Sequence, residues 1–248
     1  MRVDVLFAPS QLAPALMTGR VVAVIDVLRA SSTIATALAN GAKAIVPLAE
    51  AEEVITRAKQ FERGEVKLAG ERRMLPIAGF DLGNSPREMT REAVDGRTVL
   101  LSTTNGTRAL VGVQGARDVV IASYVNFSAV CALLRTALRG GTEVTLLCAG
   151  SDKQFSLEDA ACAGRIARIA TKRINGVQLN DGATAAGLID KRYGDNVDRL
   201  LRECEHGRAL TEAGFADDLA PCAALDSCPV IPIYQDRQIT KLGPDRER

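Results

Sequence analysis

The chain has 248 residues, of which 47% are hydrophobic and 25% are charged, and its formal net charge is +1. A chain of this length buries a full hydrophobic core, either as one large domain or as two modest lobes. The near-neutral charge, the absence of Trp and the small number of aromatic residues argue against a basic nucleic-acid-binding surface with stacking platforms.

The hydrophobic pattern alternates between strands and helices along most of the chain. Apolar or β-branched runs predict strands at 3–7, 21–27, 44–46, 66–69, 97–102, 119–122 and 144–147. Helical patterns lie at 34–40, 50–60, 126–138, 156–174, 181–193, 195–205 and 217–224. This alternation predicts an α/β fold.

We expect a layered α/β/α arrangement around a mixed, largely parallel sheet. A single domain over 1–248 is the simplest organisation, and two lobes with the site between them are the alternative. Residues 74–86 show no helical or strand periodicity, which predicts a long functional loop. The segment 230–234 contains prolines and predicts an edge strand, and 241–248 predicts a solvated tail.

Several features concern the cellular setting. The first residues, 1–7, have a strand pattern rather than that of a signal peptide, and no apolar run reaches the length of a membrane span. Six cysteines form no C-x-x-C pair, and one histidine, His206, excludes a zinc site of the finger type. We therefore expect a cytoplasmic protein with reduced thiols and no membrane partner.

The segment 24–33 joins a predicted strand to a helix through a polar turn. Asp26 ends the apolar run, Arg29 follows it, and the helix opens with the hydroxyl residues Ser31, Ser32 and Thr33. Such a turn offers N–H groups and hydroxyls to an anion, a carboxylate to a metal and a guanidinium to oxyanions. The alternative is an ordinary capped helix after a buried strand.

Two further loops carry polar groups that packing does not require. Glu71 and Arg72 follow the strand at 66–69, and Asn84 and Ser85 precede a predicted helix start at Pro86. The alternatives are a solvated charge run and a turn that leads into a capped helix.

A second strand–turn–helix unit resembles the first. The strand at 97–102 runs into the polar turn Thr103, Thr104, Asn105, Gly106 and Thr107, and a helical stretch follows. Gly41 and Gly115 lie at the same distance behind the two turns, so that Thr33 matches Thr107 in a weak internal repeat.

A third unit supplies acids and a thiol. The strand at 144–147 is followed by Cys148, and a helix opens near Glu158 and Asp159. Ligands bind at the carboxyl ends of strands in open parallel sheets, so we expect the three turns to share a site. Mg²⁺ accepts one or two carboxylates, here Asp26 with Glu158 or Asp159. Capping of the helix is the alternative role for the last two.

The absence of several sequence motifs limits the reaction mechanisms that the chain could use. The chain contains no Walker loop and no G-x-G-x-x-G fingerprint. His206 stands in a charged, helical stretch, which disfavours a histidine phosphatase or a Ser–His–Asp triad. Cleavage of a polar bond would therefore depend on carboxylates and a metal.

Taken together, the five motifs around Asp26, Glu71, Asn84, Asn105 and Glu158 resemble the 2-phosphosulfolactate phosphatase family. The motifs occur in order and cover most of residues 1 to 165. The resemblance implies Mg²⁺-dependent hydrolysis of (2R)-phosphosulfolactate to sulfolactate and phosphate, a step toward coenzyme M.

The residue types agree with a small, highly anionic substrate. We predict Asp26, Arg29, Glu71, Cys148 and Asp159 as catalytic residues, and Asp26, Glu158 and Asp159 as metal ligands. Predicted substrate-binding residues are Ser31, Ser32, Thr33, Arg72, Asn84, Ser85, Thr103, Thr104, Asn105, Gly106 and Thr107. The nucleophile is either a water activated by a carboxylate or Asp26 itself, with Cys148 as a further candidate.

Two hypotheses from other classes stand beside the phosphatase. A non-catalytic sensor would bind an anionic phosphorylated metabolite through the same turns, and a related phospho-acid could replace phosphosulfolactate as substrate. A dinucleotide-dependent enzyme is disfavoured by the missing glycine fingerprint. Residues after 175 could form a lid or a subunit interface, so a homodimer is an alternative to a monomer.

Overall fold

The computed structural model describes residues 1–13, 17–62, 64–113, 115–152 and 154–243, without the side chains of Thr107, Arg108 and Val111. The strands described there are β1 Arg2–Leu6, β2 Val21–Ile25, β3 Ala44–Pro47, β4 Val66–Arg72, β5 Leu75–Pro76, β6 Thr98–Ser102, β7 Asp118–Ala122, β8 Val144–Cys148, β9 Gln178–Leu179, β10 Pro232–Gln235 and β11 Gln238–Lys241. The helices are α1 Ala30–Ala39, α2 Ala51–Ala58, α3 Arg91–Val94, α4 Gly106–Gly112, α5 Phe127–Arg139, α6 Leu157–Thr171, α7 Asp181–Tyr193, α8 Val197–Glu203, α9 Glu205–Glu212 and α10 Leu219–Ala223.

The strands form one sheet in the order β5-β4-β6-β3-β11-β10-β7-β2-β8-β1-β9. One parallel group contains β4, β6 and β3, and a second contains β7, β2, β8, β1 and β9. The antiparallel hairpin β10–β11 joins them. The predicted α/β fold with a mixed, largely parallel sheet is therefore confirmed.

The predicted edge position of segment 230–234 is wrong, because β10 lies between β11 and β7. Pro232 begins the strand, and the ladder to β7 uses Ile233 and Tyr234. Neither Pro229 nor Pro232 has to donate an N–H to β7, so the prolines do not exclude an interior position.

The side chains of β2 alternate between two hydrophobic clusters, which places helices on both faces of the sheet. Val21, Ala23 and Ile25 pack with residues of α5 and α6. Val22 and Val24 pack with α1 and α4, and also with residues of β6. Because β2 and β6 share this cluster although four strands separate them in the sheet order, the sheet curves enough to bring their carboxyl ends together.

The predicted repeat corresponds to two real units, β2–α1 and β6–α4. Gly41 and Gly115, which follow the two helices, both have a positive φ, of 95° and 85°. This left-handed conformation favours glycine, and it explains why the same residue recurs at the same distance.

Several elements differ from the sequence-based expectation. The predicted loop 74–86 contains β5, and the structure adds helix α9 and strand β11, which were not predicted. Lys241 ends β11 rather than opening a tail, and residues 244–248 lie outside the described residues. Among the helices that the structure describes, none is long and apolar enough to cross a membrane.

Candidate active site

A cavity of about 940 Å³ lies where the polar turns of the chain meet. Its walls come from the turn after β2, the β4–β5 turn, the loop before α3, the turn after β6, the segment after β8 and the start of α9. Eight of the predicted site residues line it: Asp26, Arg29, Glu71, Asn84, Thr103, Thr104, Asn105 and Glu158. The predicted convergence of separate motifs is thus present.

The turn after β2 holds Asp26 at the base of this cavity. Its main-chain carbonyl accepts the N–H of Ser31 at 2.8 Å, and its Oδ1 accepts the N–H of Ala30 at 3.1 Å. The carboxyl group is 6% exposed. Burial raises the pKa of Asp26 to about 6, with smaller contributions from Glu71 and Glu158, while the charge of His206 opposes the rise. Asp26 is therefore a carboxyl group whose ionisation is costly without a cation.

The hydroxyl groups after this turn are buried and bonded within the protein. Ser31 Oγ accepts the N–H of Asp26 at 2.9 Å, and Ser32 Oγ donates to the carbonyl of Val27 at 2.8 Å. Thr33 Oγ1 donates to the carbonyl of Asn84 at 3.0 Å. These bonds hold the turn in shape, so the structure gives the three hydroxyls a positioning role rather than direct access to a ligand.

Arg29 is also bound within the protein. Its guanidinium lies 2.7 Å from Asp218 Oδ2, donates to the carbonyl of Met74 at 2.8 Å, and stacks over the ring of Phe215 at 4.5 Å. Ser85 Oγ donates to the other oxygen of Asp218 at 2.6 Å. Arg29 and Ser85 therefore join the site to the C-terminal helices through Asp218.

Glu71 and Arg72 point to opposite sides of β4, as alternate residues of a strand must. Glu71 Oε1 accepts the N–H of Thr104 at 2.7 Å, and Oε2 accepts the Thr104 hydroxyl at 3.1 Å. Arg72 instead donates to Ser102 Oγ and to the carbonyl of Ala49, both at 2.9 Å, away from the cavity. Of the pair, only Glu71 reaches the cavity.

The turn after β6 approaches Asp26 closely. Asn105 precedes α4 and its Oδ1 accepts the N–H of Asp152 at 3.3 Å. A Cβ atom on Gly106 would lie 2.8 Å from the Cβ of Ala30 and 2.9 Å from Asp26 Oδ2. Glycine is thus required there for packing. The side chain of Thr107 lies outside the described residues.

Replacement of Gly106 by alanine is expected to lower kcat/KM by about 10- to 100-fold, because the added methyl group must displace Asp26 and a shift near 1 Å is costly in an active site. The melting temperature should change little, since the better helix propensity of alanine offsets part of the clash. The control is Gly112→Ala in the same helix, where the new Cβ meets only the flexible end of Leu12. Equal activity of both variants would contradict the expectation.

Asn84 has the clearest sign of a missing partner. Its side chain lines the cavity and is 5% exposed, and its Oδ1 has no hydrogen-bond partner within the part of the chain that the structure describes. Buried polar atoms are nearly always satisfied, so an unpaired buried acceptor on a residue that lines a cavity indicates a ligand.

Cys148 and Asp159 lie behind the cavity wall. Burial raises the pKa of the Cys148 thiol well above its usual value, and a neutral thiol is a poor nucleophile, so the structure gives Cys148 no support in that role. Asp159 accepts the N–H of Val27 at 2.8 Å and that of Gly150 at 3.2 Å. Burial, followed by the charges of Glu158 and Asp26, raises its pKa. Asp159 therefore ties the turns after β2 and β8 together.

Glu158 forms an ion pair that the sequence did not indicate. His206 Nδ1 lies 3.2 Å from Glu158 Oε1, and both side chains line the cavity. Burial alone would raise the pKa of Glu158, but the hydrogen bond and charge of His206 lower it overall. In turn, burial would lower the pKa of His206, and Glu158 and Asp26 raise it overall. Helix α9 was not predicted separately, so no periodicity placed His206 near the other motifs.

The donor atoms of the cavity suit a hard divalent cation. The described residues contain no preformed cluster of three or more His, Cys, Asp or Glu side chains for a metal. Mg²⁺ does not need one, because it usually takes one or two carboxylates and completes its shell with water and phosphate oxygens. Asp26 and the unpaired Oδ1 of Asn84 are oxygen donors of this kind within the part of the chain that the structure describes, and Glu158 is a second carboxylate in the same wall.

Comparison with known proteins gives one consistent result. Residues 3–237 match the family model described as 2-phosphosulpholactate phosphatase. A protein named probable 2-phosphosulfolactate phosphatase from Symbiobacterium thermophilum is 41% identical over 226 residues, which cover 91% of this chain and 96% of that protein. Proteins with the same name are 36% identical over 244 residues in Clostridium botulinum strain Eklund 17B, with 98% and 100% coverage, and 39% identical over 208 residues in Gloeobacter violaceus, with 84% and 85% coverage.

Proposed function

The chain belongs to the 2-phosphosulfolactate phosphatase family, and we propose that it hydrolyses (2R)-phosphosulfolactate to sulfolactate and phosphate in a Mg²⁺-dependent reaction. The observation that carries the proposal is the shared cavity, which Asp26, Glu71, Glu158 and Asn84 line together, with the Asn84 amide oxygen unpaired within the described residues. A pocket rich in carboxylates repels an anionic ester unless a cation is bound in it.

Mg²⁺ is the cation that these residues would hold, through Asp26, Asn84 and Glu158. When bound, it neutralises charge on the phosphoryl oxygens and lowers the barrier to displacement. The turn after β6, with Thr103, Thr104 and Asn105, lies in the same wall, and the bonds from Thr104 to Glu71 hold it beside the place that we assign to the phosphoryl group.

We favour a water molecule over Asp26 as the nucleophile. Asp26 Oδ1 is held by the N–H of Ala30 at 3.1 Å, and a Cβ atom on Gly106 would lie 2.9 Å from Oδ2, so one carboxylate oxygen is engaged and the other lies close to the turn after β6. The water gives one proton to a carboxylate of the cavity, and the leaving sulfolactate oxygen takes one. His206, oriented by Glu158, is the proton donor that we assign to this oxygen.

The proposed setting is the cytoplasm, where sulfolactate would feed the synthesis of coenzyme M or a related sulfonate. The six cysteines support a reducing compartment, because all are buried and none forms a disulfide. The substrate would reach the protein as a free small molecule.

Removal of divalent cations is expected to reduce phosphate release from phosphosulfolactate by about 100-fold or more, because charge neutralisation by the metal is worth several kcal/mol in the transition state. The measurement is phosphate release with excess EDTA, and then after Mg²⁺ is restored. Sodium chloride at equal ionic strength is the control for nonspecific screening. Turnover that is the same with EDTA and with Mg²⁺ would contradict the metal dependence.

A further inference from the structure

The turn between β4 and β5 has an unusual backbone for its sequence. Arg72 pairs with Leu75, so Arg73 and Met74 form a two-residue hairpin loop. Both have a positive φ, of 50° for Arg73 and 71° for Met74. Hairpin turns of this kind normally use Asn and Gly, because other residues are strained in the left-handed region.

Three contacts hold this strained turn in place. The N–H of Met74 donates to Glu71 Oε2 at 2.9 Å, and the carbonyl of Met74 accepts from Arg29 at 2.8 Å. The Met74 side chain packs on the larger core cluster. Strained backbone that its surroundings hold so firmly is concentrated at functional sites, so the turn calls for a functional explanation.

The turn places Arg73 in the wall of the cavity. The other cationic side chains described in that wall have partners in the protein. Arg29 is paired with Asp218, His206 with Glu158, and Arg208 donates to the carbonyl of Glu203. Within the described part of the wall, Arg73 is the cation whose guanidinium makes no hydrogen bond or ion pair with the protein.

We infer that Arg73 binds one of the two acid groups that the substrate carries beside its phosphate, the carboxylate or the sulfonate. This assignment rests on the proposed function, which supplies a substrate with a carboxylate and a sulfonate beside the phosphate. Both groups present two or more oxygens to the fork of a guanidinium, and a fixed turn lowers the entropy lost on binding. Arg73 is thereby a specificity-determining residue, while the acidic centre of the cavity and its cation serve the phosphoryl group.

The test compares Arg73→Asn with wild type on three esters of one carbon skeleton. Phosphosulfolactate has both acids, 2-phospholactate keeps the carboxylate, and isopropyl phosphate has neither. Asparagine tolerates the left-handed conformation, so the variant should fold with an unchanged or higher melting temperature. We expect the preference in kcat/KM for phosphosulfolactate over isopropyl phosphate to fall by about 10- to 100-fold, mainly through KM. Arg73→Lys, which keeps the charge, should recover part of that preference.

The matched control is Arg237→Asn. Arg237 also has a positive φ, of 61°, in the two-residue loop between β10 and β11, and it does not line the cavity. This variant should keep the preference of the wild type. If Arg73→Asn loses the preference for phosphosulfolactate over phospholactate, the bound group is the sulfonate. If it loses the preference for phospholactate over isopropyl phosphate, the bound group is the carboxylate.

Calorimetric titration with sulfolactate separates this inference from the phosphatase proposal, because it requires no turnover. We expect the Kd of sulfolactate to rise by about 10-fold or more in Arg73→Asn and to stay unchanged in Arg237→Asn. If wild type binds sulfolactate through Arg73 but hydrolyses no ester, the proposed function fails and the inference stands. If the preference and the Kd of Arg73→Asn equal those of wild type, the inference is wrong and the phosphatase proposal is unaffected.

Discussion

Replacement of Asp26 by asparagine is expected to reduce phosphate release by about three orders of magnitude and, at neutral pH, to stabilise the protein. The loss of activity follows from the removal of the carboxylate that we assign to the cation. Asparagine keeps an oxygen for the N–H of Ala30, so the turn itself should persist.

The gain in stability follows from the sign of the pKa shift. Asp26 has a folded pKa of about 6 against an ordinary value of 3.8, mainly because of burial. Folded protein therefore holds this proton up to about pH 6, whereas unfolded protein releases it near pH 4. Between these values the free energy of unfolding falls as pH rises, and above pH 6 the full cost of roughly 3 kcal/mol remains. Asparagine removes that cost.

Urea unfolding in EDTA at pH 4 and pH 7.5 measures the effect. We expect Asp26→Asn to be more stable than wild type by about 2 kcal/mol at pH 7.5, and the difference to approach zero at pH 4. Asp4→Asn is the control, because Asp4 is a buried carboxylate paired with Arg20 at 2.5 Å, so its neutralisation should destabilise the protein. An Asp26→Asn variant that is less stable than wild type at both pH values would contradict this account.

Replacement of Asp218 by alanine is expected to lower the free energy of unfolding by about 3–5 kcal/mol. The pair between Arg29 and Asp218 is almost fully buried, with side chains 3% and 2% exposed. Removal of the carboxylate leaves a buried guanidinium without a counter-charge and also removes the acceptor of the Ser85 hydroxyl. Activity should fall as well, because Arg29 helps to hold the turn at Met74.

The neighbouring residue provides a matched control for Asp218→Ala. Asp217 forms an ion pair with Arg87 at 3.2 Å, but both side chains are largely exposed, and exposed pairs contribute about 0–1 kcal/mol. The free energies of unfolding of the two variants, measured with denaturant, should therefore differ by several kcal/mol, although each variant loses one negative charge. Equal stability of Asp218→Ala and Asp217→Ala would show that the buried pair does not anchor the C-terminal helices to the site.

The sequence was most informative where one local rule decides the structure. Buried strands such as β2 and β8 are continuous apolar runs, and the turns after them are marked by acids and hydroxyls. Helix α7 ends at Tyr193 as predicted, with Gly194 after it, and it begins at Asp181 because Asn180, rather than the predicted Asp181, is the N-cap. These features depend on hydrogen bonds and packing between residues close in sequence.

Roles within the site were harder to assign, because they depend on which partner each side chain finds. Thr33 and Ser85 have the residue types of a ligand-binding turn, yet their hydroxyls bond to Asn84 and Asp218. The reverse holds for His206, which is distant from the motifs in sequence but pairs with Glu158 across the cavity. No local pattern encodes contacts between residues so far apart.

The amino-acid sequence by itself determined the alternation of strands and helices, the polar turns that follow β2, β6 and β8, and the resemblance of five ordered motifs to one family. Only the tertiary structure decided that β10 lies inside the sheet, that Arg29 and Arg72 are bound within the protein, and that Arg73 stands open to the cavity. The physical reason is one of range. Periodicity and capping act over a few residues, whereas burial, strand order and charge pairing are set by long-range packing of the whole chain.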